Sequence, residues 1–168
     1  MKTAILGTVL LLAIPLAAPA AESDLYGTWK MVSNTRKVGD TGALEQPRGK
    51  APSGYVSFGR DGRVMGITLS EKRPKPESVA KMTDQQRIEL FNTMNAYAGT
   101  YKLDGNKLTY RYDLTHNEVP ERASVREIKI EGRKLTMVLE PGRSTIDGKM
   151  VQTTVVYEKL QAPAPAKK

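Results

Sequence analysis

The residues of this chain best placed to do chemistry are one arginine and a set of tyrosines. Arg126 stands in Ala123-Ser124-Val125-Arg126-Glu127-Ile128-Lys129-Ile130, where period-2 alternation puts it on the same face as Ile128 and Ile130. A guanidinium carried into an interior needs an acceptor. One reading is therefore a pocket cation that receives a carboxylate or another polar head group, with Tyr55, Tyr101, Tyr110 and Tyr112 lining the route. Tyr110 and Tyr112 alternate in phase with Leu108 and Leu114, which predicts two phenol rings facing a cavity. Other chemistry is thin. Without cysteine there is no disulfide, no thiolate nucleophile and no thiolate metal site. The single histidine, His116, lies in Thr115-His116-Asn117-Glu118 and offers too few converging ligands for a stable metal site. No Gly-x-Ser-x-Gly elbow is present. Asp113 and Glu127 fall on the outward phase, and only Glu71 shares the inward phase, at a strand end. No catalytic set, metal site or cofactor is expected, although acid–base work by Tyr and Arg alone is a second reading.

These side chains need a framework, and the punctuation of the chain supplies it. Asp61-Gly62, Asp104-Gly105, Glu131-Gly132 and Asp147-Gly148 each separate two runs rich in Val, Ile, Tyr, Thr and Leu, as tight hairpin turns require. Alternation then places Met65, Ile67 and Leu69 inward on one strand, Leu135, Met137 and Leu139 on another, and Val151, Val155 and Tyr157 on the last. With further runs near 26–36, 54–59 and 97–103, about eight strands result. That number closes into an antiparallel up-and-down β-barrel with no exposed edge. One α-helix interrupts the pattern: Thr83-Asp84-Gln85-Gln86 is a capping box. Leu90, Phe91, Met94 and Tyr97 follow on one helical stripe, and Phe91 and Met94 are expected in the core, with the helix over a barrel mouth or wall.

The chain has 168 residues, 39% hydrophobic and 26% charged, with a formal net charge of +8, a composition that folds rather than staying disordered. Lys2, the apolar run Ala4 to Ala13 and the small residues Ala18-Pro19-Ala20 form a cleavable signal peptide over residues 1–20. Export to a periplasm or to the outside is expected, with a mature N-terminus at Ala21. Residues 161–168 alternate Ala and Pro before two lysines and read as a solvated tail, leaving 21–160 as one domain. Arg48, Lys50, Lys72, Arg73 and Lys75 sit in Pro-containing loops. Dispersed charge of this kind is commonly a solvated surface, and the other reading is a weak contact with an anionic membrane surface. No nucleic-acid partner is expected, since no aromatic-basic motif accompanies the charge.

Gly27-Thr28-Trp29 resembles the Gly-x-Trp signature of lipocalins, in which the Trp plugs the closed end of the barrel. Further pieces resemble the bacterial lipocalin-like domain family: Pro52-Ser53-Gly54-Tyr55, Asp61-Gly62-Arg63 with Met65, Arg73-Pro74, Ala96-Tyr97-Ala98-Gly99-Thr100-Tyr101, and Gly132 with Leu135. They follow in the family's order over nearly all of residues 25–160. The resemblance implies a small barrel with an internal pocket. It departs at Tyr110 and Arg111, where the family often has histidines, and at Tyr157 and Lys159, near where a Trp and an Arg often sit. It also gives Arg126 its competing reading, a cation stacked on Trp29 at the closed end, the commoner arrangement in such barrels. The function expected is an exported, monomeric protein that binds a small, mainly apolar or amphipathic molecule. The alternatives are a barrel enzyme of isomerase, cyclase or hydrolase type, and an envelope protein with a filled barrel.

Overall fold

The computed structural model describes residues 20–39, 41–118, 123–144 and 146–161; the expected signal peptide and nearly all of the tail lie outside them. Their elements run α1 (Glu22–Leu25), β1 (Gly27–Val38), β2 (Leu44–Glu45), β3 (Ser53–Phe58), β4 (Arg63–Leu69) and α2 (Asp84–Asn92). The chain continues through β5 (Met94–Asp104), β6 (Lys107–Thr115), β7 (Ala123–Glu131), β8 (Lys134–Leu139), β9 (Gly142–Arg143) and β10 (Met150–Lys159). The eight long strands pair in the order β1-β3-β4-β5-β6-β7-β8-β10, and β1 pairs with β10 to close the ring. The two-residue strands β2 and β9 extend the rim beside β1 and β10. Each hairpin glycine foreseen in the sequence has positive φ: 75° at Gly62, 58° at Gly105, 58° at Gly132 and 73° at Gly148. That conformation costs a residue with a Cβ and costs glycine nothing.

The closed end is packed solid. Trp29 has no exposed surface, and its indole N–H donates to the Leu25 carbonyl of α1 at 2.7 Å. Lys159, from the last strand, places its ammonium 5.0 Å from the Trp29 ring centroid and donates to the Asp24 carbonyl. Leu25, Val56, Phe58, Val64, Leu108, Ile128 and Leu135 fill the space above.

Two bulges adjust which side chains point inward. In β1 the pairing with β10 slips between Met31 and Ser33, leaving Val32 as the extra residue and turning Asn34 and Arg36 toward the interior. In β6 it slips where Ala98 meets Leu114 and Gly99 meets Tyr112. Asp113 is the extra residue, and it binds Arg63 on the outer wall.

Several expectations of phase need correction. Leu114, expected inside, is 65% exposed, because the bulge at Asp113 reverses the alternation beyond Tyr112. Strand β4 is offset by one residue: Val64, Gly66 and Thr68 face inward, while Met65 and Ile67 are exposed. Helix α2 ends at Asn92, so Met94 and Tyr97 belong to β5 rather than to a helical stripe. Phe91 is half-exposed and rests against the His116 ring at 5.1 Å instead of entering the core.

Candidate functional site

Above the packed end the barrel is hollow. A cavity of about 390 Å³ opens between the loop before β3, the ends of β6, β7 and β8, and the segment around β9, within the usual size range for small-molecule pockets. Its wall mixes Met31, Met137, Leu139, Val151 and Val155 with Asn34, Thr68, Asn95, Thr115, Ser124 and Thr153. The lining is therefore amphipathic.

Arg126 forms part of its floor. The guanidinium lies 3.5 Å from the centroid of the Tyr110 ring and donates through Nη2 to the Tyr112 hydroxyl at 3.0 Å and to Ser124 Oγ at 2.7 Å. The residue is 5% exposed, and its Nε is buried with no hydrogen-bond partner. Among the described residues no carboxylate forms an ion pair with it. Burial works against its charge, but the neighbouring Tyr110, Tyr112 and Tyr97 more than offset this and raise its pKa. It stays a cation. The stacked arrangement on Trp29 is not what the barrel builds: Arg126 stacks on Tyr110, and Lys159 takes the place over Trp29.

The tyrosines separate into three groups. Tyr112, Tyr157, which alternation also turns inward, and the unforeseen Tyr97 line the cavity, and Tyr97 and Tyr112 meet edge to face with centroids 5.3 Å apart. Tyr97 lies across Gly66, where a Cβ would stand 2.5 Å from the ring; the glycine is what lets the phenol occupy the wall. Tyr110 is fully buried just beneath Arg126, and Tyr101 lies deeper in the closed half, with its hydroxyl on the Gly59 carbonyl at 2.9 Å. Tyr55 is 45% exposed on the outer wall, since Gly54, Val56 and Phe58 hold the inward positions of β3. The pocket set expected from the sequence thus reduces to Tyr112 and Arg126, supported from below by Tyr110.

Among the described lining residues the one carboxylate, Glu140, stands exposed at the rim, away from the floor. Burial pushes the Tyr97 hydroxyl up to about 12 and raises the Tyr110 and Tyr157 hydroxyls above their ordinary value, so the phenols stay protonated and act as hydrogen-bonding groups. His116 lies at the strand end, where its Nδ1 accepts from the Ala96 amide at 3.3 Å. Among the described residues no three His, Asp or Glu converge as metal ligands.

At the rim, Arg36 is held by two carboxylates. It reaches Glu45 through Nε at 2.9 Å and Asp147 through Nη1 at 2.9 Å, and also bonds Ser144. Its hydrogen bonds hold the Glu45 and Asp147 carboxyls below their ordinary values. The clasp ties β2 to the turn before β10. Arg36 was not foreseen as an inward residue because the bulge that turns it there leaves no mark in the alternation.

A profile of the lipocalin-like domain matches residues 26–160. The chain belongs to the lipocalin-like domain family. No functionally curated protein matches it in sequence. Among solved structures, a lipocalin-like protein from Bacteroides uniformis is similar at 16% identity and a TM-score of 0.44, covering 82% of this chain and 99% of that one. A fatty acid transporter, REP1-NXSQ, is similar at 14% identity and a TM-score of 0.38, covering 83% and 98%. The apo form of lipid binding protein 8 from Caenorhabditis elegans is similar at 11% identity and a TM-score of 0.37, covering 83% and 98%. Within the lipocalin-like barrel described here, Gly27 and Trp29 occupy the plug, and the cavity with Arg126 in its floor is the candidate site.

Proposed function

We propose that this lipocalin-like protein binds a small amphipathic anion in the open half of its barrel, acidic head down on Arg126 and apolar body against Met31, Met137, Leu139 and Val155. The observation that carries this is the buried Arg126 cation, which among the described residues has no carboxylate partner and an unbonded Nε. A buried charge without a counter-charge is costly, and an anion in the cavity supplies what the protein leaves out. Tyr112 and Ser124 fix the direction of the guanidinium, so the fork is set before a ligand arrives. The same protein is exported by residues 1–20 and starts at Ala21 when mature. Its expected state is a monomer.

Calorimetric titration with dodecanoate and dodecanol, in wild type and Arg126→Met, tests the binding claim. The substitution should weaken dodecanoate by about 1.5 to 3 kcal/mol, the scale of a hydrogen bond to a charged group, and leave dodecanol nearly unchanged. Equal losses for both, or none for either, would remove Arg126 from the site. Intact-mass measurement of the exported protein tests the leader, and a species retaining Met1 to Ala20 in the final compartment would overturn it.

A further inference from the structure

Arg126 has a counterpart at the other end of the cavity. Arg48 lines the mouth and is partly buried. Among the described residues its side chain makes no ion pair or hydrogen bond, and both burial and the nearby Arg73 lower its pKa. Arg73 is anchored where α2 ends, donating through Nη2 to the Leu90 carbonyl at 3.1 Å, while its Nη1 is buried without a partner. The two loops are locked together, since the Glu71 amide donates to the Arg48 carbonyl at 2.9 Å.

Among the described residues no carboxylate forms an ion pair with either arginine. Glu71 accepts from the Lys50 amide at 2.8 Å and forms no ion pair with either arginine. Glu140, exposed at the rim, also makes no ion pair among the described residues. Of the other arginines that line the cavity, Arg36 is paired with Glu45 and Asp147 and Arg143 donates to the Gly148 carbonyl; Arg73 adjoins Arg48 without lining the cavity itself. Two like charges brought together without a counter-ion repel each other. An anion between them would relieve that repulsion.

We infer that Arg48 and Arg73 form a second anion subsite at the cavity mouth, so that the bound amphipath carries an acidic group at each end. This rests on the reading of Arg126 as the first subsite. Arg126 lies three residues inside β7 from Ala123, about 10 Å along the strand at roughly 3.3 Å per residue, and less than that in depth because barrel strands tilt. The two acidic groups are therefore separated by a short apolar spacer rather than a long tail.

The test compares α,ω-dicarboxylates of graded length, from hexanedioate to tetradecanedioate, with monocarboxylates of equal length, by calorimetry on wild type, Arg48→Met, Arg73→Met and Arg126→Met. In wild type one diacid length should bind about tenfold more tightly than its monoacid, the gain from one added charged hydrogen bond. Arg48→Met should abolish that gain and leave the monoacid within about twofold, and Arg73→Met should reduce it. Diacids no tighter than monoacids at any length, or an Arg48→Met variant that weakens both alike, would overturn the inference. A monoacid indifferent to Arg126→Met would instead overturn the first subsite. A monoacid that depends on Arg126 while no diacid gains would sink the mouth subsite alone. Thermal melts of each variant separate lost affinity from lost fold.

Discussion

The same eight strands build two unlike halves of the barrel. Toward the closed end they converge on Trp29, Phe58, Val64, Leu108 and Leu135, a dry interior in which every large side chain touches another. Toward the open end they enclose a cavity whose charged groups outnumber their partners. The first half supplies the packing that holds the molecule together. The second leaves a cation desolvated and, among the described residues, without a carboxylate partner, which packing alone would not select. Packing and the proposed recognition are thus divided along the barrel axis, with Arg126 on Tyr110 marking the boundary.

Substitutions on the two sides should therefore fail in different ways. Trp29→Ala is expected to have the largest effect, about 3 to 5 kcal/mol of lost stability from the cavity it opens. Denaturant melts would read this directly, and a loss below about 1 kcal/mol would mean that the plug is dispensable. Arg126→Met should reverse the pattern: beyond its effect on anion affinity, its Tm should stay level or rise, because an uncompensated buried charge gives way to an apolar chain. A Tm drop like that of Trp29→Ala would erase the division between the halves.

Gly66→Ala probes the wall between them. Its Cβ would collide with Tyr97, so a cost of about 1 to 3 kcal/mol is expected from overpacking, along with altered ligand affinity as the phenol swings. In a Tyr97→Ala background the same glycine substitution should cost little, because the ring it would strike is gone, and thermal melts of the single and double variants would reveal that coupling.

The smallest effect is expected from pH at the rim. Pairing with Arg36 depresses the pKa values of Glu45 and Asp147, whose ordinary values are 4.5 and 3.8. The stability they contribute is present above those ordinary values and is lost as pH falls through the depressed ones. Asp147→Asn should therefore lower Tm at neutral pH, with the gap to wild type closing in acid. A gap that stays constant from pH 7 to pH 2 would mean that the clasp contributes no titrating charge.

Much of this division was readable in the sequence, because the closed half follows simple alternation. Leu108, Tyr110, Ile128 and Leu135 point as period 2 requires, and so do Val155 and Tyr157 in the cavity wall. The open half was harder for physical reasons. On β4 both faces carry apolar residues, and the inward one is the less apolar, with Gly66 and Thr68 making room for a tyrosine from the next strand. Alternation alone gives no means of choosing between such faces. Tyr97 was hidden for a related reason: its spacing from Leu90 and Met94 fits a helix as well as a strand start. The extra residues Val32 and Asp113 each reverse a phase, which is why Arg36 was missed and Leu114 misplaced. Arg126 lies on a strand with no such interruption, and its inward placing held.

The seam between β1 and β10 bears on how the molecule is made. Trp29 pairs with Lys159 across it, so the first and last strands of the domain must meet before the plug is covered. A growing chain cannot complete that contact until its last strand is available, and until then the sheet has two open edges. Contacts so distant in sequence form slowly. A ribosome-bound chain therefore holds its barrel unzipped along one line, and a chain cut short before Met150 lacks the strand that would close it.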